Sequence, residues 1–137
     1  MILFNFETEF SILNQKEISK WIGDLILEEN LKHQEINYIF CNDDYLLEKN
    51  IKYLNHNELT DIITFDYSTE KLLSGDIFIS IERVADNAVL YNVDIKDELH
   101  RVMAHGILHL CGYKDKSEEE KALMRDKEDY YLSLRTF

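Results

Sequence analysis

Apolar positions along the chain fall into two repeating patterns, and their succession predicts the element order. Met1–Phe6 is a short apolar run and reads as a strand. Ile18, Trp21, Ile22, Leu25 and Ile26 recur at helical spacing through about Glu29. Asn14 stands as their cap, with Glu17 three residues on in a capping-box arrangement. Glu35–Cys41 reads as a strand, and Asn42-Asp43-Asp44 opens a helix to about Lys52. Tyr53–Leu59 is polar and reads as a loop. Thr60–Phe65 and Asp76–Ile81 are short and β-rich, with Gly75 before the second free to take an unusual backbone angle. Helical spacing returns over Val84–Tyr91. Asp94 caps a helix to Cys111, and Ser117 caps the last one, with Glu120 completing a box. Strands and helices mix without strict alternation. The expected fold is α+β, a mixed sheet of about four strands with packed helices.

Length and composition narrow the class. At 137 residues the chain reads as one domain over 1–137, able to bury a core without staples. The 45% hydrophobic content excludes disorder, and the absence of proline excludes a linker. The net charge of −12 argues against gripping nucleic acid through bulk electrostatics. Cys41 and Cys111 sit in apolar runs and read as buried free thiols. No run approaches the roughly 20 apolar residues of a membrane span, and Met1-Ile2-Leu3-Phe4 has no signal-peptide pattern. The expectation is a reduced, cytoplasmic protein with no membrane partner and no nucleotide cofactor.

The chemistry concentrates between Asp94 and Lys116. On a helical wheel His109 falls about 40° from His105, so both imidazoles share one face. Glu98 and Arg101 fall near them, while Ile95, Leu99, Val102, Met103, Ile107 and Leu110 take the core-facing sector. Histidines at i, i+4 can present ring nitrogens to one metal ion. Gly112 fits a left-handed cap that turns the chain back, which brings Asp115 within reach as a third ligand. The pattern is H-x-x-x-H-x-x-G-x-x-D. Two nitrogens and one carboxylate leave an open position for water, as catalytic zinc requires, and zinc lowers the pKa of that water to roughly 7. An isolated H-x-x-x-H pair is more often two surface histidines; the glycine and the acid at return distance tip the balance toward metal. His100 lies on the other side of the helix, and His33 and His56 fall in polar loops. The residue after His105 is Gly106 where zinc peptidases carry a glutamate base, so a peptidase mechanism is handicapped and a close approach by another element is favoured.

His105-Gly106-Ile107-Leu108-His109-Leu110-Cys111-Gly112-Tyr113 resembles the H-G-x-L-H-L-x-G-Y signature of the YbeY family of bacterial rRNA maturation factors. Thr60–Phe65 resembles its T-[DN]-x-L-S-F strand, and Gly75–Ser80 its G-D-I-x-I-S strand. The resemblance implies an α+β fold with a metzincin-like metal helix. It implies one zinc ion and a single-strand-directed endoribonuclease active on small-subunit ribosomal RNA and in ribosome quality control. His105 and His109 match two zinc ligands. Asp115 stands where the family usually has a histidine, and Leu54 where it usually has an arginine suited to phosphate.

Three readings remain in competition. The first is a zinc-dependent endoribonuclease with His105, His109 and Asp115 on the metal and no assigned general base, Glu98 and Asp61 being candidates. The second is a ribosome-assembly factor that binds RNA around a mainly structural metal, which the loss of the arginine favours. The third, a metallopeptidase, is weakest. Lys114 and Lys116 bracket the proposed ligand and are the candidate substrate contacts. Lys121, Arg125 and Lys127 read instead as a solvated face, because acids including Glu128 outnumber them there. A His₂Asp site also accepts nickel, cobalt or iron.

Overall fold

The computed structural model describes Met1–Phe137. The elements are β1 (Ile2–Phe6), α1 (Gln15–Glu28), β2 (Lys32–Cys41), α2 (Asp43–Leu54), β3 (Ile62–Asp66), β4 (Leu72–Ser80), α3 (Ile81–Leu90), α4 (Ile95–Leu110) and α5 (Glu118–Ser133). This is the α+β order that the periodicity predicts. The strands form one sheet in the order β1-β2-β4-β3, with β1, β2 and β4 parallel and β3 antiparallel to β4. β3 therefore occupies one edge.

The local expectations hold unevenly. Ser117 and Glu120 form a complete capping box, and Asn42 accepts from the Tyr45 amide at 2.9 Å. Asn14 does not cap through its side chain; it sits at φ 62, and its carbonyl accepts from the Ile18 amide instead. β2 starts earlier than its apolar run, because Lys32 and His33 pair with Leu72 and Leu73 ahead of a bulge. His33 is thus a strand residue, with Nδ1 3.1 Å from the N-terminal amine. Gly75 has no unusual angle; a Cβ there would stand 2.5 Å from the Phe65 carbonyl, so its role is to let β3 come close. Ile95, expected in the core, opens α4 and stays exposed.

The sheet buries unlike faces. Ile36, Tyr38, Phe40, Leu73, Ile77 and Ile79 pack with α1 and α4 in the main core, where each fully buried side chain contributes about 1.5–3 kcal/mol. Leu46 of α2 covers Cys41 and Ile63 on the other face. Buried polar groups tie the layers together. The Tyr38 hydroxyl donates to the Met103 carbonyl of α4 at 2.8 Å, and the Trp21 indole of α1 donates to the Tyr131 carbonyl of α5 at 2.7 Å. Cys41 is buried and Cys111 half-buried; both thiols are free, with pKa values raised to about 12, chiefly by burial. No helix is long and apolar enough to cross a membrane.

Candidate metal centre

The centre is built at the end of α4. His105 and His109 stand on one face, with their Nε2 atoms 2.9 Å apart. α4 then closes on Gly112, whose φ of 108 is open to glycine and strained for other residues. The Gly112 amide donates to the His109 carbonyl and the Tyr113 amide to the Leu108 carbonyl, both at 3.0 Å, the paired bonds of a left-handed helix end. That reversal returns Asp115 to the histidines. Its Oδ2 lies 3.3 Å from His105 Nε2 and 3.6 Å from His109 Nε2.

The donor set fits a divalent metal. Ligand atoms held at about 2.0–2.2 Å around a tetrahedral ion stand about 3.3–3.6 Å apart; the two separations to Asp115, 3.3 and 3.6 Å, match this, and the 2.9 Å between the imidazoles is shorter. Each Nδ1 is turned away and occupied. His105 Nδ1 donates to Glu128 Oε2 at 2.7 Å, and His109 Nδ1 donates to the Tyr113 carbonyl at 2.9 Å. Such partners fix the tautomer and aim both Nε2 lone pairs inward. Two lone pairs facing at this distance repel unless a proton or a cation lies between them.

Neighbouring elements complete the setting. Gly106 lets α4 lie close on the sheet, since a Cβ there would stand 3.0 Å from Ile62 and from Ile77. A glutamate at this position would point into β3 and β4, which removes the structural basis of a peptidase base. Glu128 is nearly buried and divides its oxygens between His105 and Arg101, whose Nη1 donates to Oε1 at 2.9 Å. Arg101 continues to Asp129 at 2.6 Å. Burial works against a charged His105, but Glu128, Asp115 and Asp61 outweigh it and raise its pKa. Burial and the neighbouring His105 lower the pKa of His109. Burial raises the pKa of Asp61, although His105 offsets part of the effect. Burial and Asp61 raise that of Glu98, while Arg101 and Arg125 oppose them.

Two clefts meet at this centre, and Asp61, His105 and Asp115 line both. One, of about 440 Å³, runs over α4 between α3 and α5. The other, of about 720 Å³, follows the edge strand β3. Glu98 lines only the first and Lys116 only the second, while Lys114 is exposed and lines neither. Leu54 and His56 stand on the β3 cleft, so His56 is at the site rather than away from it. His100 is buried on the far side of α4, as the wheel places it.

The charge alternation along α5 predicts a solvated Glu128, and the structure buries it in the site. Met124, Glu128 and Tyr131 are the buried residues of α5. That helical stripe was readable from the two apolar members, and an acid on it marks a buried charge in need of partners. Lys121 and Arg125 are exposed, as the charge alternation predicts, and both line the α3–α5 cleft. Nothing in the sequence pattern marks Glu29. It accepts from the Tyr113 hydroxyl at 2.6 Å, from Lys127 at 3.3 Å and from Tyr131, and so anchors the turn whose carbonyl holds His109.

Comparison with known proteins points the same way. A protein-family model described as Endoribonuclease YbeY matches residues 3–135. A Flavobacterium johnsoniae protein named Endoribonuclease YbeY is 54% identical over 134 residues, covering 98% of this chain and 96% of that one. A Cytophaga hutchinsonii protein of the same name is 51% identical over 138 residues, covering 100% and 96%. The solution structure of a Thermotoga maritima protein shares the fold, with a TM-score of 0.66 at 24% identity over 97% of this chain and 87% of that one.

Proposed function

The chain belongs to the YbeY endoribonuclease family, metal-dependent enzymes of rRNA maturation, and from this we propose that it holds one zinc ion and cuts single-stranded segments of small-subunit ribosomal RNA. His105, His109 and Asp115 would hold the metal. The observation that carries this reading is their convergence, with one donor atom from each lying within 4.8 Å of the others where two clefts meet. When bound, the metal supplies a Lewis acid for a phosphoryl oxygen and acidifies water.

The chain's own residues supply the remainder. Glu128 and the Tyr113 carbonyl hold the two imidazoles in the ligating tautomer. Asp61 lines both clefts, with the Asn87 amide 3.4 Å from its Oδ2, and its carboxylate would take a proton from the attacking water. A carboxylate with a raised pKa is better matched to that task at neutral pH. Glu98 lines only the α3–α5 cleft, which makes it the weaker candidate for the same role. Asp115 in place of a histidine makes the donor set harder and more negative. The enzyme works in the cytoplasm, where the maturing subunit presents the RNA. No feature of the fold favours a purely structural metal.

The purified protein should contain about one zinc per chain by elemental analysis. The double variant His105→Ala/His109→Ala should lose both that zinc and chelator-sensitive cleavage of single-stranded RNA. Cleavage that survives in the double variant would sink the assignment.

A further inference from the structure

The two clefts that meet at the metal centre carry different charge. Resting on the endoribonuclease reading, we propose that the α3–α5 cleft seats one nucleotide of the RNA beside the scissile phosphodiester. Lys121 and Arg125 hold its phosphate, and Tyr91 lies against its base.

Lys121 and Arg125 are four residues apart on α5 and so share a helix face. Both line the cleft that contains His105 and Asp115. Neither makes an ion pair, whereas Arg101 is engaged by Glu128 and Asp129 and Lys127 by Glu29. A phosphate can therefore use this pair without breaking an existing contact. Across the cleft, Asn87 and Tyr91 come from the end of α3, and Tyr91 is 57% exposed, with its ring open to stacking. Buried Val102 and Met124 contribute an apolar lining. A cationic wall, an apolar surface and an exposed aromatic are what single-stranded nucleic acid requires of a site. Glu98 also lines this cleft.

The β3 cleft has apolar lining in Leu54, Ile62, Ile63 and Leu110 but no aromatic ring of Phe, Tyr or Trp and no pair of cations. There Glu58, Asp61, Asp66 and Asp115 face a single lysine, Lys116, and Leu54 offers no charge, whereas in the α3–α5 cleft Asp61, Glu98, Asp115 and Glu128 are met by Arg101, Lys121 and Arg125. A polyanion therefore meets less repulsion along α5 than along this wall. The volume of about 440 Å³ falls in the range of small-ligand sites, roughly 300–1,000 Å³. The chain's net charge of −12 is compatible with this, because the cations that matter are placed locally.

The test measures binding of a fluorescent single-stranded phosphorothioate oligouridylate to the zinc-loaded protein across a salt series. The double variant Lys121→Gln/Arg125→Gln should bind roughly tenfold more weakly. Its plot of log affinity against log salt should be shallower by about 0.7, the value for one phosphate of a single strand no longer neutralised. Tyr91→Leu should cost roughly fivefold with an unchanged slope. Lys116→Gln on the other cleft should change affinity by less than about twofold, and Lys20→Gln, on distant α1, should change nothing. If the double variant does not fold, each single variant carries the test with roughly a threefold loss. Amide NMR shifts with uridine monophosphate should cluster at the end of α3 and the start of α5.

Unchanged affinity and slope in the double variant would overturn the proposal, as would a larger loss from Lys116→Gln. RNA cleavage in the same preparations separates this result from the function. Pair-independent binding with intact cleavage removes the subsite alone. Pair-dependent binding by a wild-type protein that cuts no RNA keeps the subsite and removes the endoribonuclease reading.

Discussion

His100 and His105 sit five residues apart on α4, yet their surroundings give them opposite chemistry. His100 lies between the rings of Trp21 and Phe137, with Arg135 Nη1 2.7 Å from its Nδ1. Burial and the adjacent guanidinium push its pKa down to about 4, so it is a neutral core residue. His105 faces Glu128, Asp115 and Asp61, which raise its pKa against the same burial. Burial alone therefore does not decide what a histidine does. The charge of the groups packed against it does, and those groups come from other elements: the C-terminal segment for His100, α5 and the return loop for His105.

The largest expected effect comes from removing the acid that distinguishes the two rings. Glu128→Gln keeps the shape but weakens the hold on His105 and on Arg101. Zinc affinity should fall about 10- to 100-fold in a chelator-competition titration. Unchanged affinity would show that His105 is oriented without Glu128. The same change should leave the environment of His100 untouched.

A smaller effect follows from the other ring. His100→Ala removes a buried ring packed on Trp21 and Phe137 and should destabilise the fold by about 2–3 kcal/mol in urea denaturation. Zinc content should stay at about one per chain. Loss of zinc in a folded His100→Ala protein would mean that the two faces of α4 are coupled.

The mildest test is pH. The folded pKa of His100, about 4, lies below its ordinary value of about 6.5. The unfolded chain therefore takes up the proton first as pH falls. The stability contributed by neutral His100 is complete above about 6.5 and is lost as pH drops toward about 4. Urea midpoints measured from neutral to acid pH should show a shallower decline in His100→Phe than in the wild type. An identical decline would assign the acid sensitivity to other groups.

Where sequence succeeded and failed follows the range of the interactions. The i, i+4 histidines, the left-handed Gly112 and the return of Asp115 are settled within one helix end and one turn, so their geometry was legible. Gly106 was readable as a close-approach position, though not which strands approach it. Glu128 departs from the pattern because acids and bases alternate along α5, while Lys121 and Arg125 are exposed as that pattern predicts. The direction that each side chain faces depends on how Met124 and Tyr131 seat the helix. His33 and Gly75 were misjudged because backbone pairing between β2 and β4 and the approach of β3 are invisible to side-chain pattern.

By itself, then, the sequence determined the element order, the mixed α+β class, the metal-type spacing on α4 and the family resemblance. These rest on local periodicity and on motifs short enough to be read in line. Only the tertiary structure decided which carboxylate orients His105, that Asp61 reaches the same centre, and that α5 rather than β3 presents the cations. Each of these depends on packing elements far apart in the chain, where burial and partner charge set the chemistry of a side chain more strongly than its own type does.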